Sequence, residues 1–111
     1  MTDLLASLRQ EIRRGSVVLL CLMALREPDY GYALLRTLED AGVATDANTL
    51  YPLLRRLEKQ GLLTSEWVTE DPRPRKYYRT TADGEEVAGL LLTDWQAIAT
   101  SLKHFRKGDT E

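Results

Sequence analysis

The sequence predicts a mainly α chain with a small β-hairpin. Three observations carry that reading. Apolar residues recur at helical spacing in four segments. A short stretch before the last segment turns strand-like in composition, and single glycines and prolines fall near the changeovers. The 111 residues allow one domain-sized core, and 43% hydrophobic with 29% charged residues suits a folded globular chain.

The first helix is expected over residues 4–26. Leu4, Leu5, Leu8 and Ile12 share a face. Val17, Leu20, Met23 and Ala24 continue it, with Cys21 and Leu25 widening the stripe. Gly15-Ser16 is a point where this helix would kink or divide. Glu27 precedes Pro28, which pushes it out of the helical region and ends the helix. A second helix is expected over residues 30–41, capped by Asp29, with Tyr30, Leu34, Leu35 and Leu38 inward and Gly42 just past its end.

The third helix, over residues 47–60, takes Asp46 as cap and stops at Gly61. Leu50, Leu53, Leu54 and Leu57 form its core stripe. Proline costs about 3 kcal/mol in a helix interior. Pro52 therefore predicts a regular helix beginning near Thr49, or a distorted first turn. Residues 63–69 and 76–80, rich in Trp, Val, Thr and Tyr, read as two strands. The loop between them holds Pro72 and Pro74, which forbid regular pairing. A last helix is expected over residues 82–107, capped by Thr81, with Glu85 and Glu86 in its first turns. Leu91, Trp95, Ile98, Leu102 and Phe105 make a heptad seam whose expected partner is a second copy of the helix.

Composition removes several function classes. One cysteine, Cys21, forbids an intramolecular disulfide, and with one histidine, His104, no Cys/His zinc site fits in one chain. Cys21 reads as a core residue and His104 as a surface one. The glycines are scattered singly, so no phosphate-binding loop is present. The longest apolar run, residues 17–25, falls short of the roughly 20 residues that span a bilayer. The N-terminus lacks a signal-peptide layout. The expectation is a cytoplasmic protein with no metal, no cofactor and no membrane partner. It is not an enzyme, because its carboxylates show no sign of a shared pocket.

Charge is unevenly placed. Residues 1–42 carry net −1, residues 43–80 net +2 and residues 81–111 net −3. Local patches set contact with a phosphate backbone. Two short helices joined by a turn, then a hairpin, give a winged helix-turn-helix over residues 1–81, followed by a C-terminal dimerisation helix over residues 82–111. In that arrangement the third helix enters the major groove of double-stranded DNA. Its candidate contacts are Asn48, Thr49, Tyr51, Pro52, Arg55, Arg56 and Lys59. Arg73, Arg75 and Lys76 on the wing would neutralise phosphates, and Tyr32 would reach one with its hydroxyl. Tyr30 is assigned to the core, and Tyr77 and Tyr78 to opposite faces of a strand. The plainer alternatives are a solvated basic face and a hairpin edge blunted by charge. A protein-interaction winged helix without sequence-specific DNA binding is the alternative function.

Three stretches add a resemblance. Tyr30-Gly31-Tyr32, the run from Thr49-Leu50-Tyr51-Pro52 to Gly61-Leu62, and Arg75-Lys76-Tyr77-Tyr78-Arg79-Thr80-Thr81 resemble the PadR family of bacterial transcriptional regulators. Their order and spacing match over about residues 10–105. Asn48 departs from the family, where glycine or alanine is common. The resemblance implies a homodimeric winged-helix repressor of the short subfamily, which has a single C-terminal helix. Its operator would be a pseudo-palindrome with half-sites one helical turn, about 34 Å, apart. Apart from the resemblance, Trp95 at the middle of the seam reads either as plain interface packing or, with its two-fold mate, as the lining of a pocket for a small planar hydrophobic effector.

Overall fold

In the computed structural model, which describes residues 1–70 and 72–110 and side chains through residue 106, the first apolar segment is one helix. This is α1, Thr2–Ala24. It runs unbroken through Gly15 and Ser16. The Ser16 hydroxyl donates to the Ile12 carbonyl at 2.7 Å, which holds a polar side chain within the helix without a break. Its buried residues are Val17, Leu19, Cys21 and Leu22, with Leu25 just beyond. Val17, Cys21 and Leu25 lie in the expected stripe, and Leu19 and Leu22 shift the buried face away from the rest of it. Leu20, Met23 and Ala24 are only half-buried, whereas Leu22 is fully enclosed.

The second expected helix loses its first residue to a strand. Asp29–Tyr30 forms β1, and α2 covers Gly31–Asp40. Tyr30 is extended, with φ −100 and ψ 161, and stands at the N-cap without a side-chain bond. Asp29 therefore does not cap the helix; its Oδ1 accepts from Tyr30 N at 2.9 Å. A short loop leads to α3, Ala47–Lys59.

Both glycine stops are as expected, at φ +92 for Gly42 and +79 for Gly61. Gly42 N donates to Glu39 O and Val43 N to Leu38 O. Gly61 N donates to Glu58 O and Leu62 N to Leu57 O in the same pattern.

α3 starts at Ala47, two residues before the expected regular start, with Pro52 inside it. Pro52 has no N–H, so the Asn48 carbonyl loses its helical donor. Both residues are exposed, and water can satisfy that carbonyl.

The hairpin strands are β2, Leu63–Val68, and β3, Arg75–Thr80. Leu63 pairs with Thr80 at the base and Val68 with Arg75 at the far end. β1 joins the other edge of β3, Tyr30 opposite Tyr77, so the expected hairpin is a three-stranded antiparallel sheet in the order β1-β3-β2. The sheet is stitched to the end of α1. Buried Thr80 donates its hydroxyl to the Leu22 carbonyl at 2.6 Å and its N–H to Leu25 O at 2.8 Å. These bonds satisfy carbonyls that a helix end leaves unpaired.

α4, Ala82–Thr110, is capped by Thr81, whose Oγ1 accepts from Gly84 N at 3.0 Å. A Cβ at Gly84 would strike the Leu62 carbonyl, so glycine lets α4 approach the start of β2. The core gathers the second half of α1, Leu34 and Leu38 of α2, the α3 leucines, Leu63, Tyr78 and Ala88. The molecule measures 60 × 33 × 22 Å. Leu4, Leu5, Leu8 and Ile12 on α1 stay exposed, as do Trp95, Ile98, Leu102 and Phe105 on α4. Among the described residues no helix is long and apolar enough to cross a membrane. Asp71, within the expected loop, and Glu111, at the end of the expected C-terminal segment, lie outside the described residues.

Candidate nucleic-acid interface

The site is organised around α3. Its N-terminus is fixed by Asp46, whose Oδ1 accepts from Thr49 N at 2.8 Å while its carbonyl accepts from Leu50 N at 2.9 Å. Leu50, Leu53, Leu54 and Leu57 anchor the inner face in the core. At 3.6 residues per turn, the side directly opposite carries Asn48, Pro52, Arg55 and Lys59, all exposed.

The remaining expected contacts lie on the two flanks. Thr49 and Arg56 turn toward α1, together with Pro52 at the edge. They line a cleft of about 600 Å³ with Arg13 and Arg14 of α1. Tyr51, half-buried, turns toward the wing. Gly31 packs under the Tyr51 ring edge, where any Cβ would overlap Cε1. The glycine of the Tyr-Gly-Tyr stretch thus seats a tyrosine of α3.

The wing is tied to α3 by one carboxylate. Glu58 Oε2 accepts from the Ser65 hydroxyl at 2.5 Å, and its Oε1 lies 3.3 Å from Lys76 Nζ. The Ser65 hydrogen bond is the main reason that the Glu58 carboxyl lies below the ordinary carboxylate range. Partial burial works against that shift, and Lys76 reinforces it. For Lys76 itself, partial burial pulls the pKa down, but nearby Tyr78 and Glu58 outweigh it and leave the amine above its usual value. The Lys76 Nζ also sits 5.2 Å from the Tyr78 ring centroid.

Of the three expected wing cations, then, Lys76 is engaged within the protein and half-buried. Arg75 lies over the Tyr30 ring at 4.4 Å. Arg73 is exposed. Tyr30 is not in the core as expected. It is half-buried at the sheet edge, packed edge-on against Tyr77 at 5.4 Å, because β1 places it beside β3. Tyr78 takes the buried face of β3 and Tyr77 the other.

Between α2, α3 and the wing lies a second cleft of about 620 Å³. Tyr30, Tyr32, Tyr51 and Trp67 supply its aromatic walls, and Arg73, Arg75 and Lys76 its charge. No carboxylate lines it among the described residues. Sequence reasoning missed Trp67 in this wall. The signal was strand alternation: Leu63, Ser65 and Trp67 share the face turned to α3.

Cys21 is enclosed in the core, and burial pushes its thiol up to about 12, which leaves it inert at neutral pH. No metal-binding cluster occurs among the described residues. His104 is exposed beside Phe105. On α4, Leu91 is half-buried, while Trp95 is 44% exposed and Phe105 74%.

Comparison with known proteins gives the family and the fold. The model of the transcriptional regulator PadR-like family matches residues 19–89. A PadR family transcriptional regulator from Eggerthella lenta is 48% identical, with a TM-score of 0.86 over 94% of this chain and 93% of that one. The transcriptional regulator Rv3488 of Mycobacterium tuberculosis is 38% identical over 90 residues, 80% of this chain and 81% of that protein. A transcriptional regulator from Clostridium thermocellum is 27% identical, with a TM-score of 0.79 over 86% of this chain and 97% of that one.

Proposed function

The chain belongs to the PadR-like family of transcriptional regulators, and from that premise we propose that it binds double-stranded DNA as a homodimer and acts as a ligand-responsive repressor in the cytoplasm. The observation that carries the reading is the outer face of α3. Asn48, Arg55 and Lys59 stand exposed on a helix that is capped by Asp46 and backed by four core leucines. A rigid helix with Arg and Asn on its outer face suits base-edge readout in a major groove, Arg to guanine and Asn to adenine. Tyr32, Thr49, Tyr51, Pro52 and Arg56 flank those readers. Arg73 and Arg75 place positive charge on the wing, where they position the duplex rather than read it, and Lys76 stands behind them, paired with Glu58.

Residues 1–81 act as the DNA-binding unit and residues 82–111 as the dimerisation helix. Support for the second copy comes from exposed apolar faces on both long helices, Leu4, Leu8 and Ile12 on α1 and Trp95, Ile98, Leu102 and Phe105 on α4. Two such faces on one small monomer exceed scattered surface hydrophobics. The two-fold dimer presents its α3 helices to half-sites about 34 Å apart. A small planar hydrophobic effector held between the Trp95 rings weakens DNA binding by favouring a dimer with another spacing.

The test separates readers from positioners. Arg55→Ala should cost affinity for the operator and relax its sequence preference, by about 1–3 kcal/mol for a bidentate contact. Arg73→Ala should weaken every duplex alike and reduce the salt slope by about one phosphate contact. Operator binding by both variants as tight as that of the unsubstituted protein would overturn this map.

A further inference from the structure

Trp67 is 65% exposed although strand alternation points it toward the body of the molecule. The inner face of β2 explains this in three steps. Leu63 is buried in the core. Ser65 donates to Glu58 of α3. Trp67, one step farther, overhangs the cleft opposite Tyr32 and Tyr51, where the protein supplies it no cover. It pairs across the hairpin with Lys76, which also lines the cleft while its amine is held 3.3 Å from Glu58.

The neighbours define what would cover it. Arg73 and Arg75 bring positive charge, Tyr32 and Tyr51 bring rings with hydroxyls, and no carboxylate lines the cleft among the described residues. A partner here must be anionic and must also carry flat or aliphatic surface. Glu66, the neighbouring acid, points to the opposite face of the hairpin, near Tyr77 and Arg79.

We propose that Trp67 is a DNA-contacting residue: its indole packs on the deoxyribose of the backbone strand that Arg73 and the Tyr32 hydroxyl hold by its phosphate. This rests on the DNA-binding reading above and adds an uncharged contact between α3 and the wing. The contact is to sugar, so it strengthens all duplexes equally and carries no base preference. Removing it takes away no positive charge, so the salt dependence of binding is unchanged.

The experiment uses the full chain and two labelled duplexes, one from upstream of the protein's own gene and one scrambled, in a salt series beginning low. Trp67→Ala should bind both duplexes roughly tenfold more weakly, the loss of one well-buried aromatic contact. The ratio between duplexes and the salt slope should stay unchanged. Trp67→Phe, which keeps a ring on the strand, should fall between. The unsubstituted protein's tryptophan emission should shift saturably with duplex, and that shift should be absent in Trp67→Phe, where Trp95 alone reports. Equal affinity of Trp67→Ala and the unsubstituted protein, or the same emission shift in Trp67→Phe, overturns this contact while leaving DNA binding intact. A flattened salt slope in Trp67→Ala also overturns it. Failure of the unsubstituted protein to bind any duplex at low salt overturns the DNA-binding reading and this contact together, and leaves the cleft to an acidic protein partner.

Discussion

Glu58 and Lys76, 3.3 Å apart, join α3 to the wing, and Ser65 completes the link from β2. A single carboxylate therefore bridges the element proposed to read bases and both strands of the element proposed to grip the backbone. The pair is partly exposed, at 32% and 33% of side-chain surface, so its stabilising effect is modest, at most about 1 kcal/mol. Glu58 is an acid with a depressed pKa. Its contribution is present above the ordinary carboxylate pKa of 4.5 and is lost as pH falls through the lower folded value. Glu58→Gln should therefore melt a few degrees lower at pH 7, and the gap should close as pH falls from 4.5 through the lower folded value. A gap that does not vary with pH would show that the charge contributes nothing.

The glycine at residue 31 is a packing device. Gly31→Ala would drive a Cβ into the Tyr51 ring, and such overpacking costs about 1–3 kcal/mol. Duplex affinity should fall with it, because Tyr51 must rotate out of the cleft. Gly89→Ala is the contrast. Its Cβ meets open space on α4, and the helix should gain about 0.5–1 kcal/mol. Thermal melts of the two variants that moved in the same direction would contradict this account.

The cap of α3 should couple stability to binding. Asp46→Ala removes the acceptor for Thr49 N and should cost about 1 kcal/mol. Thr49 and Asn48 then fray, and operator affinity should drop more than affinity for a scrambled duplex. Asp46→Asn, which retains a capping oxygen, should restore most of both. If the asparagine variant behaves like alanine, the effect is one of charge and not of the cap.

The exposed seam on α4 predicts self-association. The unsubstituted chain should sediment at twice its 12.6 kDa, and Ile98→Glu, which places a charge in the seam, should sediment at that mass. Should the unsubstituted chain run as a monomer at micromolar concentration, α4 has another partner.

Legibility in the sequence followed the strength of the local signal. The α3 leucines stand at clean helical spacing among polar residues, and the structure buries all four. Gly42 and Gly61 announced left-handed stops that only glycine enters without strain. Asp46 and Thr81 cap as their residue types suggest. The phase of α1 was not legible, because residues 17–25 are apolar without interruption and such a run has no periodicity to read. Hence Leu22 was passed over, although it lies at the centre of the core. β1 was hidden because two residues cannot alternate; only pairing with β3 reveals the strand.

Within the candidate interface, the polar face of α3 could be read from helical geometry. The engagement of Lys76 could not, since Glu58 lies eighteen positions before it and looks like an ordinary surface acid. Trp67 reads as a strand former in the sequence; its exposure depends on how far the hairpin projects past α3.

The measurement that bears most directly on the central claim is fluorescence anisotropy of a labelled duplex from upstream of the protein's own gene, with a scrambled duplex beside it, over a salt series. The account predicts tighter binding to the native duplex and a steep fall of both affinities with salt. Equal affinities that do not change with salt would contradict it.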